Sequence, residues 1–317
     1  MDLVILAAGM GSRFGGLKQI EPIDKNGNFI IDYSIFDAIK CGFDRVVFII
    51  KREHLDTFKN TVGNRIEQFV ETKYVFQENT NVPDKYTIPA DRKKPLGTTH
   101  ALLCAVPEIS DDFVVINADD FYGYDAFKTA ADFLKNEKKI ERETKTSRDN
   151  NYAVIGYQAA NTIGDSGSVK RGICAVGDDG KLLGIAESVI SKDESGVLSA
   201  SPLDFPDIKP YEIANDTPVS MNMFSFKKDF TNKLQSSFDN FLETEKDNLA
   251  KAELILSSTL TEFILDGSIS IEMHPTTATW YGMTYKEDKD KVVAALQSLV
   301  DSGEYPSNLW ASLKAKN

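Results

Sequence analysis

Arg13 and Lys18 stand in a glycine-rich setting near the start of the chain: Gly9, Gly11, Gly15 and Gly16 surround the arginine, and the lysine follows two residues after the last glycine. The stretch LAAGMGSRFGGLKQIEPI, Leu6 to Ile23, comes immediately after the apolar run Leu3-Val4-Ile5-Leu6. Glycines let backbone amides approach an anion closely, and a guanidinium and an ammonium can neutralise it from two directions, so the chemistry on offer is the binding of a phosphate chain. A Walker loop is excluded, because Gly16 is followed by Leu17-Lys18-Gln19 where Lys-Ser or Lys-Thr is needed. A dinucleotide fingerprint fits poorly, because Phe14 occupies the third glycine place and the second strand ends in Lys51-Arg52 where a ribose-binding acid is expected. The remaining reading is a loop that cradles a triphosphate. A tight turn alone would explain the glycines but would need neither cation.

A second group with chemistry to offer is Asn117-Ala118-Asp119-Asp120, after the apolar run FVVI. Asp119 could cap the next segment, but its place at a strand end facing the same edge as the opening loop suits a Mg²⁺ ligand. Asp120 reads as a solvated or supporting neighbour. His100 lies on an expected buried helix and reads as a packed histidine. His54 and His274 carry no discriminating context, and Trp280 reads as core.

The elements that must position these groups follow from hydrophobic period. Strands are expected at Leu3 to Leu6, Arg45 to Ile50, Lys73 to Phe76 and Phe113 to Ile116. Helices are expected at Asp32 to Gly42, along the stripe Leu55, Phe58, Val62, Ile66, Phe69, and after a Thr98-Thr99 cap. This βαβαβαβ alternation implies parallel pairing, with ligands beyond the carboxyl ends of the strands. The second half changes character, with strands at Tyr152 to Tyr157, Ile173 to Val176, Leu182 to Ile185, Val219 to Phe226 and Ser268 to Met273. Gly177-Asp178-Asp179-Gly180 is a hairpin signal. Helices are expected at about Asp229 to Leu242, Leu249 to Leu265 and Asp288 to Val300. The charge-dense segment Lys135 to Asn150 reads as a solvated helix end and loop.

Composition limits the partners. At 317 residues with 42% hydrophobic content the chain can bury a full core, and its net charge of -12 leaves no electrostatic footprint for nucleic acid or an anionic membrane. No apolar run approaches the roughly 18 residues of a membrane span and no signal-peptide pattern precedes the first strand, so a cytoplasmic location is the default expectation. Cys41, Cys104 and Cys174 are far apart in sequence and read as buried small hydrophobes, without a disulfide framework or zinc spacing.

With these residues in view, Leu6-Ala7-Ala8-Gly9-Met10-Gly11-Ser12-Arg13-Phe14 followed by Lys18-Gln19 resembles the signature of the sugar-phosphate nucleotidyltransferases, the pyrophosphorylases that make nucleotide sugars. Further matches come in the family's order: Gln77 after a strand, Leu96-Gly97-Thr98-Thr99-His100-Ala101-Leu102, Asn117-Ala118-Asp119, and Met221-Asn222-Met223-Phe224-Ser225-Phe226. Glu253-Leu254 and Trp280-x-Gly282-x-Thr284 resemble the closing segment of the bacterial thymidylyltransferases. The resemblance implies an α/β fold with a Rossmann-like mixed, mostly parallel sheet flanked by helices and a C-terminal helical extension, divided as 1–285 and 286–317.

The resemblance further implies catalysis by Arg13, Lys18 and Asp119, with Asp119 holding Mg²⁺, and nucleotide binding by Leu6, Ala8, Gly9, Gly11, Ser12, Gln77, Gly97 and Thr98. Gly172, Glu187 and Asn222 would bind the acceptor. Gln77 and Gly97 would recognise the base. The expected partners are a nucleoside triphosphate and a sugar-1-phosphate-like substrate, with neither nucleic acid nor membrane, and there is room for a homo-oligomer. Three departures stand out: Leu17-Lys18 for the usual Pro-Lys, Glu187-Ser188 for the Glu-Lys pair that meets the sugar phosphate, and Ser258 where a second metal-binding Asp is expected. Two other readings stay open: a cytidylyltransferase for a non-sugar phosphate such as phosphocholine, and a nucleotide sensor without turnover.

Overall fold

The computed structural model describes residues 1–9, 22–80, 82–92, 94–146, 148–163, 167–203, 205–283 and 288–313. Gly11, Ser12, Arg13 and Lys18 lie outside the described residues, as does Thr284.

The first half builds the parallel heart of the sheet. β1 (Asp2–Leu6), β2 (Arg45–Ile50), β3 (Glu71–Phe76) and β4 (Phe113–Asn117) pair in the order β4-β1-β2-β3, all parallel. Strands covered on both faces must be apolar throughout, which is why DLVIL, RVVFII and FVVIN read as unbroken runs. Helix α1 (Ile30–Cys41) ends as expected at Gly42, whose φ of 94° lets its amide reach the carbonyls of Ala38 and Ile39. The stripe from Leu55 forms a broken helix, α2 (Leu55–Phe58) and α3 (Asn64–Ile66) separated by a π turn at Lys59–Gly63. Gly63 lies directly against the Tyr74 hydroxyl, with no room for a β-carbon. Helix α4 (Thr98–Ala105) closes this half.

After β5 (Asp120–Phe121) and the long helix α5 (Tyr124–Thr144), the second half adds β6 (Asn151–Gln158), β7 (Gly167–Val176), β8 (Leu182–Lys192), β9 (Leu198–Pro202), β10 (Tyr211–Ile213) and β11 (Pro218–Phe226). Helices α6 (Thr231–Thr244) and α7 (Leu256–Leu265), strands β12 (Ser270–Thr276) and β13 (Tyr281–Gly282), and helix α8 (Asp288–Asp301) complete the described chain. The main sheet runs β10-β9-β8-β7-β11-β4-β1-β2-β3, with β6 on the other flank of β11 and β12 beside it. Every added pairing is antiparallel except β12 with β6. Helices α1 and α5 cover one face with α8 beside them, and α4 and α7 cover the other. No described helix is long and apolar enough to cross a membrane.

Three local expectations change. The helix expected from Leu249 begins only at Leu256, because the Leu254 backbone is taken by Leu96 and Thr99: its N–H donates to the Leu96 carbonyl (2.8 Å) and its carbonyl accepts from the Thr99 N–H (3.1 Å). The Thr98 hydroxyl caps α7 rather than its own helix, accepting from the Leu256 N–H at 2.8 Å. The charge-dense segment is also more than solvated surface: Arg148 joins the buried Glu137 (2.8 Å) to Glu272 (2.8 Å), and Lys227 pairs with Glu141, tying the end of α5 to β12 and β11.

The chain after α8 folds back onto α1. Tyr305 donates to Asp37 Oδ2 at 2.5 Å and the Trp310 indole to Asp32 Oδ1 at 3.1 Å, while Arg65 clasps Asp32 through two nitrogens. Val292, Leu296, Tyr305, Leu309 and Trp310 enter the same apolar cluster as α1 and α5.

Candidate active site

Parallel strands end together, and their carboxyl ends define the working edge. Leu6 pairs with Ile49 and Asn117, the Ala7 N–H donates to the Ile49 carbonyl and the Ala118 N–H to the Leu6 carbonyl. The chain therefore leaves β1 at the centre of this edge, the edge where α/β sheets bind ligands, with Ala8 buried and Gly9 exposed.

Asp119 lies two residues past β4 on this edge, and its carbonyl accepts from the Met283 N–H at 3.1 Å. Asp120 is buried rather than solvated. Its Oδ2 accepts from Asn117 Nδ2 at 2.9 Å and lies 3.3 Å from the Tyr122 hydroxyl; burial, then the neighbouring Asp119, push its carboxyl up to about 7. Across the β5–β13 pair it faces Gly282, where a β-carbon would lie 3.1 Å from Asp120 Oδ1 and overlap the Trp280 ring. That strand thus offers no second carboxylate. Ser258 is exposed on α7, whereas Ser257 is buried.

Among the described residues no group of three or more His, Cys, Asp and Glu could enclose a metal. One strand-end carboxylate suits Mg²⁺, which binds through one or two carboxylates, keeps several waters and takes the remaining ligands from substrate phosphates. Asp119 would hold such an ion.

Gln77 sits just past β3, its N–H bonded to the Ile50 carbonyl. Its Nε2 donates to the Gly97 carbonyl (2.8 Å) and lies 3.2 Å from His100 Nδ1. Burial, then the Arg92 charge, lower His100 to about 4, so the ring is neutral and Nδ1 can accept. His100 packs, stacked on Phe238 at 4.7 Å, and it also orients Gln77. Because both bonds use Nε2, the oxygen is the part of the amide left for a ligand.

The acceptor candidates lie on the antiparallel strands. Register places Glu187, Gly172 and Ser220 in one row across β8, β7 and β11. Glu187 Oε1 accepts from the Ser257 hydroxyl at 3.0 Å and would lie 3.3 Å from a β-carbon on Gly172; that β-carbon would also press on Ile185 at 2.5 Å. β11 has β6 along one flank, while its other flank is shared: Val219 and Ser220 pair with β7, and Phe224 to Phe226 with β4. A crevice opens between β7 and β4 at the switch. Asn222 sits there with φ of +60°, an uncommon conformation for a side-chain-bearing residue, and its backbone N–H bonds the Ser220 hydroxyl at 3.2 Å. The Tyr122 hydroxyl spans the gap, accepting from the Asn117 N–H and donating to the Met221 carbonyl, each at 2.9 Å.

The structure thus brings Leu6, Ala8, Gly9, Gln77 and Asp119 to one edge, links Gly97 and Thr98 to it through Gln77, and places Asn222 in the adjoining crevice with Gly172 and Glu187 beside it. Tyr122 and Arg171 were missed by sequence reasoning. A basic pair before an apolar run, Lys170-Arg171-Gly172-Ile173, is the local signal for the second of these.

A family model described as nucleotidyl transferase matches residues 3–171, more than half of the chain. The chain is 28% identical over 162 residues to a bifunctional protein GlmU from Methanococcus maripaludis, a match covering 50% of this chain and 33% of that protein. It thus spans about a third of the length of that curated relative. Among solved structures it is similar to an inositol-1-phosphate CTP transferase from T. maritima, with a TM-score of 0.60 at 15% identity over 95% of this chain and 96% of the other. It is also similar to a protein from Bacillus anthracis assigned as a glucose-1-phosphate thymidylyltransferase, with a TM-score of 0.57 at 13% identity over 93% and 94% of the two chains.

Proposed function

Because the chain belongs to the nucleotidyl transferase family, we propose that it joins a nucleoside triphosphate to a sugar 1-phosphate, yielding a nucleotide sugar and pyrophosphate. A phosphate oxygen of the acceptor attacks the α-phosphorus and pyrophosphate leaves, with no covalent intermediate on the protein. Positioning and charge neutralisation carry such a displacement. The observation that carries this reading is the convergence on one sheet edge of the end of β1, Gln77 and Asp119, beside a crevice holding Asn222. Arg13 neutralises the leaving pyrophosphate and Lys18 the charge growing around the α-phosphorus. Asp119 would hold Mg²⁺, which would supply positive charge to neutralise the phosphates. Gln77 meets the base through its oxygen, and Glu187 and Asn222 orient the acceptor.

The test is a pyrophosphate-release screen of five nucleoside triphosphates against sugar 1-phosphates and phosphoalcohols. Release with sugar 1-phosphates supports the proposal. Release only with phosphocholine or another phosphoalcohol replaces it with the non-sugar cytidylyltransferase, and nucleotide binding without release replaces it with a sensor.

Two substitutions probe the nucleotide end. Lys18→Ala should lower turnover by more than ~10²-fold with a much smaller change in nucleotide affinity, as for an interaction made chiefly in the transition state. Unchanged turnover removes the lysine from the chemistry. Gln77→Ala should blunt base preference more than turnover, because an amide oxygen fixed as acceptor selects bases presenting an N–H at that point. Competition between pairs of triphosphates measures this, and an unaltered preference order refutes it.

A further inference from the structure

Arg171 and Trp280 form a contact in which both side chains can donate hydrogen bonds and neither can accept one. The guanidinium lies 4.4 Å from the indole centroid, and Arg171 Nε and Trp280 Nε1 are both buried with no hydrogen-bond partner. Arg171 spends one bond on the Lys170 carbonyl (2.8 Å) and one on the Thr162 carbonyl (2.5 Å), which fix the plane of the fork but bring no carboxylate against it. No ion pair joins Arg171 to a carboxylate among the described residues; Asp120 acts on it only as a nearby charge, and burial lowers the arginine's pKa to about 10. Leaving a partly buried cation and two buried donors unsatisfied costs free energy, and an oxyanion is the kind of group that both side chains can bind.

Their place in the fold says which oxyanion. Arg171 stands opposite Ser188 across the β7–β8 pair, one residue from Gly172. Ser188 is fully buried and its hydroxyl bonds the Ala186 carbonyl, so no cation comes from β8 at this point. The pairing of Gly172 with Ser220 sets Arg171 level with Met221, where β11 leaves β7 for β4 and the crevice opens. Trp280 approaches from the segment between β12 and β13, its backbone N–H bonded to the Asn161 carbonyl just beyond β6. Both residues therefore belong to the half of the site that carries Gly172 and Glu187, and Arg171 is close enough to feel Asp120.

We propose that Arg171 and Trp280 form an oxyanion subsite that takes the phosphate of the acceptor phosphomonoester. This deepens the transferase reading and rests on it for the identity of the ligand. The guanidinium supplies charge and direction, and the indole N–H supplies a second donor.

The chain has two tryptophans, which makes the test direct. In phosphate-free buffer the Trp280 indole N–H signal in a ¹H–¹⁵N spectrum should shift and saturate on titration with inorganic phosphate or glucose 1-phosphate. The Trp310 signal, already bonded to Asp32, should stay still. Arg171→Gln should abolish the shift and raise the acceptor KM on the order of 10- to 100-fold while moving the nucleotide KM by no more than about twofold, with Arg171→Lys intermediate. If Arg171→Gln does not fold, Trp280→Phe, which keeps a ring under the guanidinium and removes only the N–H, should still raise the acceptor KM several-fold. A Trp280 signal unmoved by either phosphate, or moved only by nucleoside triphosphate, overturns the subsite even if the pyrophosphate screen is positive. A saturating shift with phosphate in a protein that releases no pyrophosphate sustains the subsite and fails the transferase reading.

Discussion

Asp119→Asn should cut nucleotidyl transfer on the order of 10³-fold, because it removes the carboxylate charge at the strand end while preserving size and shape. The neighbouring carboxylate cannot take over. Asp120 is buried with its Oδ2 engaged by Asn117 and close to the Tyr122 hydroxyl, and its Oδ1 turned toward Gly282. Nor does β13 supply a replacement, since the residue facing Asp120 is a glycine whose β-carbon space is filled by Trp280. With a single carboxylate on offer among the described residues, Mg²⁺ should arrive with the nucleotide and bind the free protein weakly. Initial rates of pyrophosphate release, together with calorimetric titration of Mg²⁺ with and without nucleotide, check both parts. A variant within about tenfold of the parent rate, or tight Mg²⁺ binding by the free protein, means that the metal is held elsewhere.

Gly97→Ala should destabilise the fold by about 3 kcal/mol or more, through two effects that act together. Its φ of +111° with ψ of 175° is a backbone region that side-chain-bearing residues essentially do not occupy. A β-carbon there would collide with the Leu254 carbonyl oxygen and come within 2.6 Å of Leu254 C and N. The obstruction is backbone held in place from both directions by Leu96 and Thr99, so no rotamer change relieves it. Gly180→Ala is the control: φ there is also positive, at 77°, but nothing lies within 4 Å, so only the backbone strain of about 1 kcal/mol is expected. Urea unfolding of the two variants separates strain from collision, and equal midpoints would show that Leu254 does not approach as described. Because the Gly97 carbonyl holds Gln77, any folded fraction of Gly97→Ala should also lose base preference.

What the sequence determined by itself is local. A strand buried on both faces must be apolar at every position, so β1, β2 and β4 are visible as unbroken runs; a helix against a sheet must carry a stripe, so α1 and α8 are visible from their period, and Gly42 is a helix stop because its conformation is written in its missing side chain. That the Gly9 end of β1 and Asp119 share one edge was legible because each lies within a few residues of the end of such a run, and a parallel sheet brings the ends of its strands together.

Tertiary structure decided what depends on residues distant in the chain. Whether Leu249 to Ile255 is helical was settled by Leu96 and Thr99, whose backbones compete for Leu254 and outweigh the local helical period. Whether Asp120 is wet was settled by Asn117, Tyr122 and Gly282 closing around it. The direction in which Gln77 can bind was settled by His100 and Gly97, and the pairing of Arg171 with Trp280, more than a hundred positions apart, has no local signature. Burial, protonation and donor satisfaction are properties of a neighbourhood, and a neighbourhood exists only after the sheet has assembled the halves of the chain around a shared edge.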